Sequence, residues 1–260
     1  MRGGTTFTGD ILSSHPDVFY LYETSWFSED RTHSLRRADA SVVDSRRIIT
    51  KLQTCDYTEP ELREFMKYQV RRGHYARSHA ISRELGCDDP LLMRRLDKCR
   101  PLGKKCAETP SLWQRACRSH RVHVFKILRL HVVDVAPLAA TLAATLAGVS
   151  VKFILLTRDP RGVLTSRERH KFVALHLRSP DVCYNMAENY DSAAALNLSS
   201  DVLKVIRYED VADHPEVKVR EIYDFVGLPY LPETDAYIAL NTRGETGSDA
   251  KGARGPEVVG

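Results

Sequence analysis

Two stretches combine the residue types that bind oxyanions: Arg2-Gly3-Gly4-Thr5-Thr6-Phe7-Thr8-Gly9, and far downstream Arg158-Asp159-Pro160-Arg161-Gly162-Val163-Leu164-Thr165-Ser166. In the first, glycines let backbone N–H groups approach an anion, threonine hydroxyls add donors and Arg2 adds charge, just before a run that can open a helix. It is not a Walker loop, which would supply Gly-Lys-Ser/Thr and a lysine for the terminal phosphates, so a nucleoside triphosphate is disfavoured. In the second, residues 151–157 (VKFILLT) read as a buried strand with Arg158 at its carboxyl end, where open α/β sheets bind ligands. Residues 161–170 are expected to form a helix whose first turn presents free N–H groups, with Ser166 nearby. Two anion sites on one chain suit a nucleotide phosphorylated at two positions. Taken singly, each has a plainer reading: a flexible glycine loop, and a surface Arg158–Asp159 pair beside a helix-starting Pro160.

The elements that must hold these stretches follow an alternating pattern. A helix is expected from residue 8 onwards and a strand over 17–23 (DVFYLYE), ending at Glu23. Residues 122–130 read as a strand, 134–148 as a crossover helix and 151–157 as the parallel successor, a βαβ unit of a doubly wound sheet. Further on come a helix over 185–199, a strand over 202–207, and a helix over 216–226 ended by Gly227 with Pro229 beyond. Between them, residues 59–121 form a helical, basic stretch broken by Gly73, Gly86, Pro90, Pro101, Gly103 and Pro110, which suits an insertion on the acceptor side.

The motifs and their order resemble the Golgi carbohydrate 6-O-sulfotransferases, the galactose, N-acetylglucosamine and N-acetylgalactosamine type. RGGTTFTGDILSSHPDVFYLYE is similar to that family's glycine-hydroxyl loop and following strand, RDPRGVLTSR to its Arg-Asp-Pro-Arg helix start, and VIRYEDVADHPEVKVREIYDFVGLP to its Arg-Tyr-Glu-Asp segment. The resemblance covers roughly residues 2–230 and implies an α/β, P-loop-like three-layer sulfotransferase fold with a parallel sheet and a basic helical insertion. It implies one domain over 1–240, with the Cys-containing insertion at about 55–121 and a disordered tail over 241–260. The implied activity is transfer of a sulfuryl group from 3′-phosphoadenosine-5′-phosphosulfate to a sugar hydroxyl, O-6 by family habit, of a keratan-, chondroitin- or mucin-type glycan. Arg2, Gly3, Gly4, Thr5, Thr6 and Phe7 would hold the 5′-phosphosulfate, and Arg158 and Ser166 the 3′-phosphate. Arg2 would also stabilise the leaving oxygen, and Glu23 would be the base.

Each role has a competitor among the residues. Glu23 could instead pair with Lys126 or Arg129 on a neighbouring strand. His15, in a turn before Pro16, is the reserve base. Arg207, Tyr208, Glu209 and Asp210 are read as fixing a strand-to-helix corner.

Composition narrows the class. In a chain of 260 residues with 43% apolar content a single sizeable core is affordable. Residues 61–121 carry fifteen Lys/Arg against seven Asp/Glu, a local surplus of eight that leaves the remainder at −4 within a net +4. That regional charge suits an anionic glycan, although nucleic acid would look similar electrostatically and a solvated helical face is the commoner cause; the resemblance implies a glycan and no nucleic acid as partner. Six cysteines lack CxxC spacing, so no metal is expected, and the four between 87 and 117 could staple a loop-rich insertion in a lumenal enzyme or remain buried thiols in a cytosolic one. Asn197-Leu198-Ser199 is a glycosylation sequon. Residues 135–151, rich in Ala and Thr and containing Pro137, suit a buried helix rather than a membrane span. By resemblance, a Golgi membrane anchor would lie upstream of Met1, on a protein acting on the lumenal side.

Two departures from the family stand out. Its loop normally follows an apolar first strand, and its carboxyl-terminal helix is replaced here by a tail with five glycines in the last twenty residues. Truncation at both ends is therefore expected, and with it two further readings: an inactive glycan- or nucleotide-binding relative, and a divergent P-loop nucleotide kinase.

Overall fold

The computed structural model describes residues 4–24, 39–86, 107–128, 130–169, 179–196 and 198–242. The glycine-threonine stretch opens α1 (Thr5–Ser14), which leads into β1 (Val18–Leu21). After α2 (Asp39–Leu52), the stretch expected to be an insertion holds α3 (Pro60–Arg72), a 3-10 turn (His74–Arg77), α4 (His79–Glu84) and α5 (Pro110–Arg118). Then come β2 (Val122–Phe125), α6 (Val135–Thr145), β3 (Phe153–Thr157), α7 (Pro160–Arg169) and α8 (Ser179–Ala195). The chain closes with β4 (Leu203–Arg207), α9 (Tyr208–Asp213), α10 (Pro215–Val226) and α11 (Pro232–Thr242). Helix α11 had no counterpart in the sequence reading.

All the strands run parallel, but they form two pairs. β1 pairs with β2 in the register Val18↔Val122, and β3 with β4 in the register Thr157↔Arg207. This corrects the expectation that β2 and β3 are neighbours: among the described residues no ladder joins them. β2 is also shorter than the expected 122–130: beyond Phe125 the pairing continues, among the described residues, only through Lys126 N–H to the Leu21 carbonyl at 2.9 Å and Thr24 N–H to the Lys126 carbonyl at 3.1 Å.

The pleat nevertheless runs through both pairs. Val18, Tyr20, Val122, Val124, Ile154, Leu156 and Ile206 all pack into a core with α1, α10 and α11, whereas Phe19, Leu21, Phe125 and Phe153 pack into a second core with α2 to α6. Strand residues alternate between faces, so the two pairs share one layer with helices on both sides. Between them a cleft of about 1490 Å³ borders the strand residues of β2 and β3. Every residue of β2 and β3 is half-buried, whereas all four of β1 are buried.

Local packing fixes α1 against this layer. Gly9 lies so close to Tyr20 that an added Cβ would come within 2.3 Å of its hydroxyl oxygen. Ser13 donates to the Arg77 carbonyl at 2.8 Å and accepts from the His79 N–H at 3.0 Å, and Arg77 pairs with Asp10 at 2.9 Å. The insertion is thereby tied to the helix that begins at the cradle. A disulfide between Cys55 and Cys117 ties the turn after α2 to α5, inside a core that also holds Trp113 against Tyr57. Cys87, Cys99 and Cys106 lie outside the described residues, as do Asn197 and residues 243–260. No helix among the described residues is long and apolar enough to cross a membrane.

Candidate functional site

Parallel strands leave their carboxyl ends on one side, and there the sequence motifs gather. Arg2 and Gly3 lie outside the described residues. Gly4 adopts the left-handed conformation, φ 78, immediately before α1, and Thr5, Thr6 and Phe7 form that helix's first turn. The Thr6 hydroxyl faces the Tyr22 hydroxyl at 3.4 Å and accepts from the Lys126 amine at 3.2 Å. Phe7 packs sideways into the core shared with Ile11 and Tyr20.

Glu23 lies two residues beyond β1, which ends at Leu21 rather than at Glu23 as expected, and has φ 50, a conformation uncommon for a residue with a Cβ and of the kind that concentrates at functional sites. Its neighbours hold it there. The Tyr22 carbonyl accepts from Gln69 at 2.8 Å, and the Thr24 N–H donates to the Lys126 carbonyl at 3.1 Å. The Glu23 carboxylate lies 3.3 Å from the Lys126 amine. Lys126 sits 3.7 Å above the Tyr22 ring and is 8% exposed; burial drives its pKa down to about 8 despite the neighbouring Glu23. A buried amine thus joins the cradle hydroxyl to the candidate base. The sequence offers Lys126 as a partner of Glu23, and that pairing is found; its contact with Thr6 has no local signal. Arg129 is outside the described residues.

His74, from the insertion, presses its ring against Tyr22 at 4.8 Å and Tyr68 at 6.0 Å. Burial lowers its pKa to about 4, leaving it neutral, and its Nδ1 is buried with no hydrogen-bond partner. It is a second group that sequence reading did not single out, since nothing in its local spacing marks it.

Arg158 follows β3 directly, its guanidinium stacked 4.5 Å from the centroid of the Tyr208 ring. Ser166 is half-buried within α7. The first turn of that helix does not present free donors as expected: the Asp159 carboxylate accepts from the Arg161 N–H at 2.8 Å and from the Arg161 side chain. Those bonds hold Asp159 down to a pKa of about 2. A capping aspartate satisfies orphan N–H groups that an anion would otherwise use. Asp159 pairs with Arg161 rather than Arg158, and its own N–H donates to Glu209 at 2.9 Å.

His15 is a core residue rather than a reserve base. It is 1% exposed at the opposite end of β1, where Nδ1 accepts from the Asp17 N–H at 3.1 Å and Nε2 faces the Pro229 carbonyl at the same distance. Those two bonds fix the Nε2–H tautomer, and burial lowers its pKa.

The two stretches singled out in the sequence meet. The Tyr208 ring that carries Arg158 also lies against Gly4, where an added Cβ would fall 1.8 Å from its Cδ2. Thr5, Lys126, Arg158 and Glu209 line the same cleft.

In comparison with known proteins, residues 1–233 match the Sulfotransferase family. The chain belongs to that family. It is 30% identical over 275 residues to carbohydrate sulfotransferase 5 of Mus musculus, covering 94% of this chain and 66% of the relative. It is 29% identical to carbohydrate sulfotransferase 1 of Rattus norvegicus over the same shares, and 27% identical to carbohydrate sulfotransferase 3 of Mus musculus, 56% of which it covers. This sulfotransferase-family chain thus spans 56–66% of the length of those relatives. Among solved structures, a sulfotransferase domain from the curacin biosynthetic pathway aligns with TM-score 0.40 and 15% identity, over 85% of this chain and 77% of that one.

Among the described residues, the one grouping with metal-ligand character is Cys55, Cys117 and His123. Both thiols are consumed in the disulfide, and the His123 nitrogens face Gln53 and the Cys117 and His120 carbonyls.

Proposed function

We propose that this chain carries the catalytic domain of a carbohydrate sulfotransferase that uses 3′-phosphoadenosine-5′-phosphosulfate and sulfates a sugar hydroxyl, O-6, of a keratan-, chondroitin- or mucin-type glycan. The observation that carries the reading is the shared contact of Gly4 and Arg158 with Tyr208, which brings two anion-binding elements to one cleft. The donor set fits the co-substrate: threonine hydroxyls, a buried amine and a guanidinium are available at that end. The Glu209 Oε2, buried without a hydrogen-bond partner and lining the same cleft, is an acceptor that a hydroxyl or amine of the nucleoside, not a phosphate, would satisfy. The co-substrate supplies an activated sulfuryl group whose leaving oxygen belongs to a phosphate.

The chain's own residues would do the rest. Gly4, Thr5 and Thr6, with Arg2 and Gly3 ahead of them, would bind the phosphosulfate end, and Arg158 with Ser166 the 3′-phosphate. Lys126 would place positive charge beside the Thr6 hydroxyl, where negative charge develops during transfer. Glu23, held in a fixed orientation by its neighbours, would take the proton of the acceptor hydroxyl. A lumenal Golgi setting belongs to the same proposal and is supported by the buried disulfide, since such bonds persist in oxidising compartments.

A second reading, nucleotide binding without transfer, is favoured by the open cleft between β2 and β3 beside the cradle. Transfer of labelled sulfate to desulfated keratan, chondroitin and mucin-type glycans separates the two. Arg158→Ala is expected to weaken co-substrate binding, and Glu23→Gln to preserve binding while abolishing turnover. Normal turnover in Glu23→Gln would remove the base assignment, and binding without any transfer by the unaltered chain would favour the second reading.

A further inference from the structure

The Arg-Tyr-Glu-Asp segment that sequence reading assigned to a strand-to-helix corner does more than turn the chain. The register Thr157↔Arg207 places Arg158 and Tyr208 at matching positions just beyond the paired ends of β3 and β4. There the Tyr208 ring touches two elements far apart in sequence. One is the Gly4 backbone, where a Cβ would lie 1.8, 2.3 and 2.5 Å from ring atoms Cδ2, Cε2 and Cγ. The second is the Arg158 guanidinium, 4.5 Å from the centroid. The guanidinium also lies over the first turn of α7, its Nε 3.1 Å from where a Gly162 Cβ would project. The corner beneath is secured by the 2.9 Å bond from the Asp159 N–H to Glu209.

We propose that Tyr208 is a positioning residue: its ring sets the separation between the glycine cradle and Arg158, so that the two act as one site for a nucleotide bearing 3′- and 5′-phosphates. The proposal rests on the reading above that these elements hold the two phosphate ends of one nucleotide. An arginine side chain that is free to rotate loses rotamer entropy when it captures a phosphate, and a ring that already restrains it lowers that cost. A cation over an aromatic face is held by the ring quadrupole, which needs the ring and not its hydroxyl. The same ring blocks any side chain at residue 4, so Gly4 is required twice, by its φ of 78 and by Tyr208.

Calorimetric titration with adenosine 3′,5′-bisphosphate and adenosine 5′-monophosphate tests this. The unaltered chain is expected to prefer the bisphosphate and Arg158→Ala to lose that preference; if either fails, the two-phosphate reading falls and the role of Tyr208 with it. Given those results, Tyr208→Leu is expected to cut the preference roughly tenfold while leaving monophosphate affinity nearly unchanged, the loss of a desolvated cation–π contact. Tyr208→Phe is expected to retain the preference. A full preference in Tyr208→Leu, or a loss in Tyr208→Phe equal to that in Tyr208→Leu, would overturn the proposal while sparing the reading. Thermal unfolding adds a ligand-free check. Gly4→Ala should lower Tm less in a Tyr208→Ala background than in the unaltered chain, because only the backbone strain then remains; equal losses in both backgrounds would overturn the contact itself.

Discussion

Burial removes water from the Lys126 amine, and the Glu23 carboxylate 3.3 Å away only partly replaces it, so the pKa falls to about 8 from an ordinary 10.5. Two pH effects follow. If its charge assists transfer, kcat/KM should fall as pH rises through about 8, and in Lys126→Arg that alkaline limb should move upward, because a guanidinium stays protonated. A pH–rate profile of the two proteins checks this. For stability the sign is set by proton count: between about 8 and 10.5 the unfolded chain holds more protons at this site than the native one, so stability rises with pH across that window. Denaturant titrations at both ends of the window should show the rise in the native chain and a smaller one in Lys126→Met. His15 behaves in the opposite pH range. Its lowered pKa means that the unfolded chain binds the extra proton first as pH falls below about 6.5, so stability drops there. His15→Ala should cost about 1–3 kcal/mol by leaving the Asp17 N–H and Pro229 carbonyl without their partner, with nucleotide affinity unchanged.

Elements position these residues through a few long-range ties. The disulfide joins Cys55, before α3, to Cys117 near the end of α5, at a sequence separation of 62. Closing a loop of that length stabilises by roughly 4 kcal/mol on the chain-entropy account. Cys55→Ser with Cys117→Ser is therefore expected to lower unfolding free energy by about that amount, measured by denaturant titration. Helix boundaries were readable where the chemistry is local: Pro60 and Pro215 begin α3 and α10, and Gly73 and Gly227 end them. The start of α7 was legible from Pro160, but its cap was not, because Asp159 reads equally well as half of a surface ion pair. Helix α11 was missed since its apolar spacing is weak; only Ile238 and Thr234 are buried.

Among the described residues the strand layer is interrupted. Within that set β2 and β3 present unpaired edges to an apolar cleft while sharing faces with β1 and β4, and edges of that kind accept another strand. A five-residue segment of β-branched and apolar residues, joined ahead of Met1 and leading into the cradle, is expected to raise Tm and slow amide hydrogen exchange in β2 and β3. Exchange mass spectrometry reads both strands directly; unchanged protection would mean that the cleft does not take a strand. The same experiment bears on competence for transfer, because a strand there would hold the backbone ahead of Gly4.

The sequence by itself marked the residues proposed for each end of the site. Glycines beside hydroxyls, an arginine after an apolar strand and an acidic residue just beyond β1 are local patterns, and so were the parallel α/β class and the family to which residues 1–233 belong. Only the tertiary structure decided which strands pair, that His15 is core, that Lys126 links Thr6 to Glu23, and that Tyr208 touches both Gly4 and Arg158. The physical reason is range. Capping, turn and periodicity signals act over a few residues, whereas a buried amine or a ring that touches two distant elements takes its role from atoms brought close by packing, which no spacing along the chain records.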